Sequence, residues 1–247
     1  MPSLPKKNNI GKRLSAAAEY AAAPLYEGEG KLFAIDVGTD HAKLPIHLAM
    51  RDDFCHITAT DIAEGPCHSA VANISSCPEY IRDKISVVRT DGLTGLDDVR
   101  CNRVIIAGMG GELIRDILTK ADFVRADKEK IKFVLQPQTK AEILRAYLCD
   151  GYRILDERFL IDGGKYYVVI AAIYDGVKRE STSLELNFGR VNLEKCENAF
   201  CDYFKRRYEI LGKNIAAKKE AGMSGESVSD DEALYLQMKE YIEEKGI

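Results

Sequence analysis

The sequence predicts an α/β protein in which an open, mostly parallel sheet has helices on both faces and is followed by a helical appendage. Short β-branched segments alternate with longer helix-compatible segments from about residue 31 to residue 175, as is typical of a parallel sheet with helical crossovers. After Gly176 the composition changes, and large apolar residues recur at helical spacing. We therefore divide the 247 residues into a sheet domain, 1–176, and a C-terminal helical region, 177–247.

The strands of the sheet domain are predicted at residues 32–37, 56–61, 85–89, 103–107, 132–136 and 166–174. Helices are predicted after Asp40 and at residues 64–76, 111–120 and 139–149, where Ile143, Leu144 and Leu148 recur at helical spacing. An alanine-rich helix around residues 11–26 precedes the first strand.

The C-terminal region is predicted to form two helices. The first lies within residues 191–221, where the apolar residues at helical spacing are Phe200, Phe204, Tyr208, Leu211 and Ile215. Residues 222–230 contain glycine and serine and predict a flexible break. Residues 231–246 then form a final amphipathic helix.

The overall composition is that of an ordinary soluble globular protein, which excludes a disordered tail or a fibre. No segment approaches the roughly 20 consecutive apolar residues of a membrane span, and no apolar signal core follows the basic N-terminus, so we expect a cytoplasmic protein. The seven cysteines are scattered without a Cys-x-x-Cys pair and are predicted to be reduced thiols, so no metal is expected. A net charge of −4 does not exclude a local basic face.

The loop after the first strand, residues 35–41, lies where ligands bind in an α/β sheet, at the carboxyl ends of the strands. A dinucleotide-binding loop would read Gly-x-Gly-x-x-Gly, and this loop has too few glycines, which disfavours a nicotinamide dehydrogenase. Asp36 and Asp40 flank Gly38 instead. Two carboxylates would repel a phosphate and suit a cationic ligand, and S-adenosylmethionine carries both an ammonium and a sulfonium.

Two further strands also end in aspartate. Asp61 follows Asp36 by 25 residues, close to the offset of about 20 at which an acidic side chain accepts hydrogen bonds from a ribose. Asp91 ends the third strand, where it could accept a hydrogen bond from an adenine amino group. Any one of these residues alone could be an ordinary helix cap or turn residue. Together they predict a site for one nucleoside-like cofactor along the sheet edge.

Five motifs occur in order along the sheet domain, at residues 36–45, 65–66, 91–93, 106–111 and 135–138. They read DVGTDHAKLP, GP, DGL, IAGMGG and LQPQ. Together they resemble the bacterial tRNA (adenine-22-N1)-methyltransferase family. The similarity is strong over residues 11–174 and continues more weakly into residues 186–189. Two positions depart from the family pattern: Lys43 stands where tyrosine is frequent, and Gln138 where asparagine is frequent.

The resemblance implies a Rossmann-like class I methyltransferase domain, S-adenosyl-L-methionine as methyl donor and a coiled-coil-like C-terminal hairpin. It places Asp36 and Gly38 on the methionine and ribose side of the cofactor. Asp61 would hold the ribose hydroxyls and Asp91 the adenine. The residues that complete the implied cofactor site and its floor beside the sulfonium are Val37, Ile62, Gly92, Ala107, Gly108, Met109 and Gly110.

Adenine N1 carries a lone pair, so its methylation depends mainly on positioning. The product is cationic, and a carboxylate would stabilise the developing charge; Asp40 is the first candidate and His41 the second, although His41 could equally be a turn residue that packs or caps. Gly108 would permit close approach of the base to the methyl group, with tight helix-to-strand packing as the alternative use of the glycines.

The N1 atom lies on the Watson–Crick edge, so the target adenine must be exposed by base flipping or local opening. Gln136 and Gln138 can each offer a donor and an acceptor to that edge. Met109, Tyr20 and Tyr26 could form a stacking surface, although the tyrosines could equally be core residues. Met109 and Gly108 therefore complete the predicted catalytic set with Asp40 and His41.

Basic residues in the C-terminal region predict a tRNA-contacting stripe. Its members are Lys205, Arg206, Arg207, Lys213, Lys218 and Lys219, and a solvated helix face is the alternative. A second predicted contact consists of Lys6, Lys7, Lys12 and Arg13, with Arg13 close to the mouth of the site.

Two other functions remain open at this stage. A methyltransferase for a small molecule would not need the basic appendage and would act without RNA. A noncatalytic RNA-binding protein that retains the fold is disfavoured by the three intact aspartates. We expect a monomer or a weak homo-oligomer that binds tRNA, with no membrane association.

Overall fold

The computed structural model describes residues 10–121 and 131–247. The chain forms two compact units, Met1–Arg179 and Glu180–Ile247. None of the helices in the described ranges combines the length and the apolarity that crossing a bilayer requires.

The first unit is built on a seven-stranded sheet in the order β3-β2-β1-β4-β5-β7-β6. The strands from β1 to β5 are parallel, whereas β7 is antiparallel to both β5 and β6. Their bounds, from β1 to β7, are Leu32–Val37, Phe54–Asp61, Ile85–Arg89, Arg103–Met109, Lys132–Pro137, Asp150–Asp162 and Lys165–Lys178. The predicted mostly parallel α/β sheet is confirmed.

Helices cover both faces of this sheet because alternate strand residues point to opposite sides. Ala34, Ile105 and Val134 face one core, and their neighbours Ile35, Val104 and Phe133 face the other. The helices α1 to α4 pack on the first core and α5 and α6 on the second. The helices α1 to α6 are Gly11–Ala22, Lys43–Ala49, Glu64–Ser75, Glu79–Arg82, Gly111–Lys120 and Ala141–Leu148.

Helix α1 lies with its C-terminal end at the N-terminal ends of β4 and β5. Arg103, the first residue of β4, donates from Nε to the Ala21 carbonyl at 2.7 Å, and Lys132 of β5 donates to the carbonyls of Tyr20 and Ala23. These cations satisfy carbonyls that no longer have helical partners. The helix ends earlier than residue 26 because Pro24 places Ala23 in an extended conformation.

The strand β6 was not predicted. Its sequence mixes charged and apolar residues, and it pairs only with β7 in a long antiparallel hairpin. The hairpin also extends β7 to Lys178, beyond the predicted end at residue 174 and across the predicted domain limit at 176. A strand at the edge of a sheet needs fewer apolar residues than a central one. The hydrophobic pattern therefore did not indicate β6.

The second unit contains four helices in its described residues, two more than predicted. The helices α7 to α10 are Ser183–Phe188, Arg190–Lys195, Asn198–Glu220 and Glu226–Lys245. The single helix predicted within 191–221 is therefore wrong: Cys196 adopts a left-handed conformation that separates α8 from α9. Thr182 begins α7 with a capping box that includes Glu185. The break predicted at 222–230 is shorter, because α10 begins at Glu226.

The core of this second unit is aromatic. Phe188 of α7 packs against Phe204 of α9 at 4.5 Å between ring centroids, and Phe204 packs against Tyr241 of α10 at 4.8 Å. A second contact stacks Tyr208 of α9 on Tyr235 of α10 at 4.4 Å. Helix α9 therefore packs on α10 through Phe204 and Tyr208, two of the residues whose spacing predicted a helix.

Candidate active site

The loops at the C-terminal ends of β1, β2 and β3 are tied together by Thr60, which sequence reasoning missed. Its carbonyl oxygen accepts hydrogen bonds from the amides of Gly38 (2.8 Å) and Thr39 (2.9 Å). Its fully buried hydroxyl lies 3.4 Å from both the Asp36 and the Gly92 carbonyl oxygens. A small polar residue just before the recognised Asp61 is the only sequence signal for this role.

Asp36 lies at this junction with its carboxyl group buried; the residue is 5% exposed. Burial raises the pKa of Asp36 to about 6, and the nearby Thr39 hydroxyl partly opposes that rise by favouring the ionised form. No cation among the described residues contributes to this balance. A carboxylate in this setting is stabilised by a ligand that brings a positive charge or hydrogen-bond donors.

The backbone after Asp36 is held in unusual conformations. Gly38 has φ +77°, and the two successive residues His41 and Ala42 also have positive φ, at 58° and 51°. Asn73 of α3 donates to the His41 carbonyl oxygen at 3.0 Å and supports this turn. Left-handed conformations are costly for residues with a Cβ and cluster at functional sites.

The predicted catalytic pair Asp40 and His41 lies on the exposed side of this loop. Asp40 Oδ1 is 3.2 Å from His41 Nε2, and both side chains are largely open to solvent. The pair can therefore face an incoming substrate. The structure places it beside the Asp36 loop.

Asp61 and Ile62 form the turn after β2. The Asp61 Oδ1 atom accepts a hydrogen bond from the Ala63 amide at 2.8 Å, so one carboxylate oxygen supports the entry to α3. Ile62 is 62% exposed. The exposed Ile62 side chain can pack against the ring of a nucleoside, and the half-buried Asp61 carboxylate next to it can accept hydrogen bonds from the ribose hydroxyls.

Asp91 and Gly92 follow β3. Asp91 is exposed, and its Oδ2 lies 3.6 Å from Lys120 Nζ. Gly92 has φ +61°, and a Cβ there would lie 3.0 Å from Ile117 of α5. The aspartates that end the first three strands therefore lie at one sheet edge, with Asp36 buried and Asp91 open to solvent.

The glycines after β4 serve two uses. Gly108 is exposed and has φ +88°, and a Cβ there would lie 3.3 Å from Arg13 Nη1. Gly110 and Gly111 instead pack against the loop after β5, where a Cβ at 111 would lie 2.1 Å from the Lys140 carbonyl oxygen. Close approach thus fits Gly108, whereas tight packing accounts for the other two glycines.

Met109 and Gln138 flank this floor. A Cβ at position 38 would lie 2.2 Å from Met109 Cε, so the Met109 side chain lies directly over Gly38 and joins the β1 and β4 loops. The backbone N–H of Gln138 donates to the Met109 carbonyl at 2.8 Å, and its side-chain Nε2 lies 3.6 Å from a Cβ placed at Gly108. The exposed Gln138 side chain is therefore available at the floor.

Gln136 and Arg13 meet behind Gly108. Gln136 is fully buried, and its Oε1 accepts hydrogen bonds from the Gly108 amide at 3.0 Å and from Arg13 Nη1 at 2.5 Å. Its Nε2 donates to the Pro137 carbonyl at 2.9 Å. The amide is thus engaged within the chain, which argues against the predicted contact with the adenine edge. Arg13 does lie beside the floor, as the sequence suggested.

The assembled site can bind a cationic nucleoside-like group along β1 to β3 and admit a planar ring above Gly108. In the described ranges, no group of three or more His, Cys, Asp or Glu side chains could hold a metal ion.

Comparison with known proteins identifies the family. A model described as a methyltransferase domain matches residues 11–170. The tRNA (adenine(22)-N(1))-methyltransferase of Bacillus subtilis (strain 168) is 32% identical over 176 residues, which are 68% of this chain and 69% of the relative. The chain belongs to the tRNA (adenine(22)-N(1))-methyltransferase family.

Two solved structures extend the likeness to most of the chain. The B. subtilis m1A22 tRNA methyltransferase matches with a TM-score of 0.77 and 25% identity, over 95% of this chain and 97% of that one. Streptococcus pneumoniae Sp1610 in complex with S-adenosyl-L-methionine matches with a TM-score of 0.76 and 25% identity, over 92% and 98%. The Rossmann-like methyltransferase fold is thereby confirmed.

The residues of this methyltransferase suit S-adenosyl-L-methionine, its cofactor. A nearby ammonium or hydroxyl would stabilise the ionised form of the buried Asp36 carboxyl. Ile62 offers apolar surface to an adenine ring. The assignments of Val37 and Ala107 remain predictions, as do those of the other site residues.

In the second unit of the methyltransferase, the predicted basic stripe separates into two groups. Lys218 Nζ lies 2.7 Å from Asp231 Oδ2 and Lys219 Nζ 2.5 Å from Glu232 Oε1, so both pair with α10. Lys205, Arg206, Arg207 and Lys213 are exposed on α9. We call these four residues the α9 basic patch.

The remaining predicted contacts lie in the first unit. Lys12 is exposed at the start of α1, whereas Lys6 and Lys7 lie outside the described residues. Tyr20 of α1 is buried and is a core residue, and Tyr26 is 58% exposed.

Proposed function

We infer that the protein transfers the methyl group of S-adenosyl-L-methionine to N1 of adenine 22 in tRNA. The observation that carries this function is the placement of the buried Asp36 carboxyl and the exposed Gly108 at the C-terminal ends of the paired strands β1 and β4. Family membership supplies the target, because the B. subtilis relative bears the name of that reaction.

The cofactor supplies an electrophilic methyl group on a sulfonium. We assign Asp36, Val37 and Gly38 to its methionine and ribose side. Asp61 and Ile62 would hold the ribose, and Asp91 with Gly92 the adenine. The loop bonds made by Thr60 fix these residues relative to one another, so the site is organised before the ligand binds.

Transfer to N1 needs no strong base, because the nitrogen attacks with its own lone pair. The chain must instead bring the adenine face and edge into line and exclude water. Gly108 is exposed and adds no side chain, Met109 lies next to it, and the exposed side-chain amide of Gln138 can hydrogen-bond the adenine edge. The adenine must leave its stack to reach this position.

The product adenine carries a positive charge. Asp40, with His41 at 3.2 Å, is exposed beside the Asp36 loop and can stabilise that charge electrostatically. Replacement of Asp40 by asparagine would keep the shape and remove the charge, so a fall in kcat without loss of cofactor binding is the signature of this role.

We assign tRNA contact to the helical second unit, Glu180–Ile247, through the α9 basic patch, with the first unit, Met1–Arg179, as the catalytic domain. Its four cations lie on one 23-residue helix and are exposed to solvent. Phosphate neutralisation by exposed lysines and arginines supplies most sequence-independent RNA affinity. We propose a monomer or a weak homo-oligomer, and a tRNA substrate supports action in the cytoplasm.

The reaction can be tested with radiolabelled S-adenosyl-L-methionine and unmodified tRNA that carries adenine at position 22. A matched tRNA with guanine at that position and an Asp36→Ala enzyme are the controls. Label is expected only with the adenine tRNA and the wild-type enzyme. Equal label on both tRNAs would contradict the target, and label on small-molecule acceptors alone would support the alternative methyltransferase.

A further inference from the structure

At the start of helix α1, both the backbone and the side chain of Arg13 are hydrogen-bonded. The Arg13 backbone amide donates to Oδ2 of Asp162, the last residue of β6, at 3.1 Å. Arg103 and Lys132 hold the opposite end of the same helix. Because hydrogen bonds hold α1 at each end, the Arg13 side chain lies at the C-terminal end of β4.

The Arg13 guanidinium differs from Arg103 and Arg145, the arginines that are buried among the described residues of the same unit. Arg103 is neutralised by Glu29 at 2.6 Å and Arg145 by Glu157 at 2.7 Å. Arg13 forms no ion pair with any carboxylate of the described residues; its contacts are a hydrogen bond to a neutral amide and the Tyr167 ring, 5.8 Å from its centroid. A guanidinium has five N–H donors, and most of those of Arg13 are not engaged by these residues.

Gln136 determines where this charge lies. Its buried Oε1 accepts from both Arg13 Nη1 and the Gly108 amide, and both partners are donors, so the oxygen must face them. The guanidinium nitrogen consequently lies 3.3 Å from a Cβ placed at Gly108. A neutral amide fixes the arginine without cancelling its charge, which a glutamate in the same place would do.

We propose that Arg13, positioned by Gln136, is the oxyanion-binding group of the active site. The cofactor sulfonium and the methylated adenine are both cationic, so neither is its partner. The oxyanions of the reaction complex are the methionine carboxylate and the RNA phosphodiester next to the target adenine. Naming these two sources rests on the proposed function; the binding of an oxyanion does not. Arg13 and Gln136 thus act together, Gln136 as a positioning residue.

The first arm of the test needs no methyl transfer. The melting temperature of the wild-type chain is measured in sodium phosphate and in sodium chloride at matched ionic strength. Phosphate is expected to raise the melting temperature of wild type and of an Arg153→Ala control, which removes an exposed arginine paired with Asp175 elsewhere in the unit. Arg13→Met should show a clearly smaller rise than Arg153→Ala, because only the general stabilisation of folded proteins by phosphate then remains. An equal rise in the two variants would overturn the proposal.

The second arm separates the two sources. If the partner is the cofactor carboxylate, Arg13→Met weakens S-adenosyl-L-methionine binding at least tenfold by calorimetry, but leaves the Kd of the decarboxylated analogue unchanged. If the partner is a phosphodiester, the cofactor Kd is unchanged, KM for tRNA rises about tenfold and the salt slope of tRNA binding falls by about 1. Changes below twofold in every one of these quantities would overturn the proposal.

Variants of Gln136 test the positioning role. Gln136→Met, which removes the acceptor at similar volume, should reproduce the Arg13→Met defects and add nothing to them in the double variant. Gln136→Glu keeps the acceptor but neutralises Arg13 and should also lose the phosphate response. If wild type shows the phosphate response but methylates no tRNA, the proposed function fails and the oxyanion site stands. If wild type methylates tRNA but shows no phosphate response beyond that of Arg13→Met, the proposed function stands and the oxyanion site fails.

Discussion

The backbone of Gly111 packs directly against the carbonyl of Lys140. A Cβ at position 111 would lie 2.1 Å from the Lys140 oxygen and 2.8 Å from its carbonyl carbon. The Gly111 amide donates to the Thr139 carbonyl at 2.7 Å, and Lys140 itself has φ +58°. The loops after β4 and β5 are therefore joined main chain to main chain, and this contact places Met109 and Gln138 next to each other.

Gly111→Ala is expected to destabilise the protein by about 2 kcal/mol, because the new methyl group can only be accommodated by moving backbone. The free energy of unfolding from urea titration measures this loss. Gly65→Ala is the matched control: that glycine lies in α3 with no atom near its Cβ position, so alanine should stabilise by about 0.5–1 kcal/mol. Equal effects of the two substitutions would contradict the packing explanation.

Asp36→Asn is expected to make the free protein more stable at pH 8. The pKa of Asp36 is raised from 3.8 to about 6 in the fold, so ionisation is disfavoured there and wild-type stability falls as the pH rises from about 4 through 6. The shift corresponds to about 3 kcal/mol, which asparagine avoids. Urea denaturation of both proteins at pH 4 and pH 8 measures the difference. A constant difference at the two pH values would contradict the assignment.

Cofactor affinity should increase with pH in the same range. A cationic ligand beside Asp36 favours its ionised form, so the Kd for S-adenosyl-L-methionine at pH 5 should be about tenfold higher than at pH 7. Calorimetric titration in overlapping buffers gives this profile. The dependence should vanish in Asp36→Asn and persist in Asp40→Asn. An unchanged profile in Asp36→Asn would separate Asp36 from cofactor binding.

The α9 basic patch should control the salt dependence of tRNA binding. Replacing Lys205, Arg206 and Arg207 with alanine removes three exposed cations, and the slope of log affinity against log salt should fall by about 1 for each phosphate that is no longer neutralised. Lys218→Ala with Lys219→Ala is the control, since these lysines pair with α10. Filter binding at several salt concentrations measures both. Equal slopes in all three proteins would favour the solvated-face alternative.

Local sequence patterns predicted the parallel part of the fold well. The strands β1 and β3 and the helix α5 have the predicted bounds, because their apolar residues are contiguous and their ends are marked by Asp or Gly. The strand β6 and the break at Cys196 were missed for opposite reasons. The first carries charged residues on an exposed edge, and the second lies in an apolar pattern that continues across it.

The site was predictable where it is encoded locally. The aspartates after β1, β2 and β3 could be assigned to one edge because parallel strands end together. The hydrogen bonds of Arg13 and Gln136 could not be foreseen, because these residues are 123 positions apart and meet only after α1 docks on the sheet. The role of Thr60 was hidden similarly, since it depends on one carbonyl of β1 and one of the loop after β3.

Methylation of adenine 22 at N1 can be read directly on the tRNA. The added methyl group blocks the Watson–Crick edge, so reverse transcription of the treated tRNA should stop immediately before position 22. We predict this stop with wild-type enzyme and S-adenosyl-L-methionine, and its absence with the guanine-22 tRNA. Full read-through of a tRNA that has nevertheless gained a methyl group would contradict the proposed function.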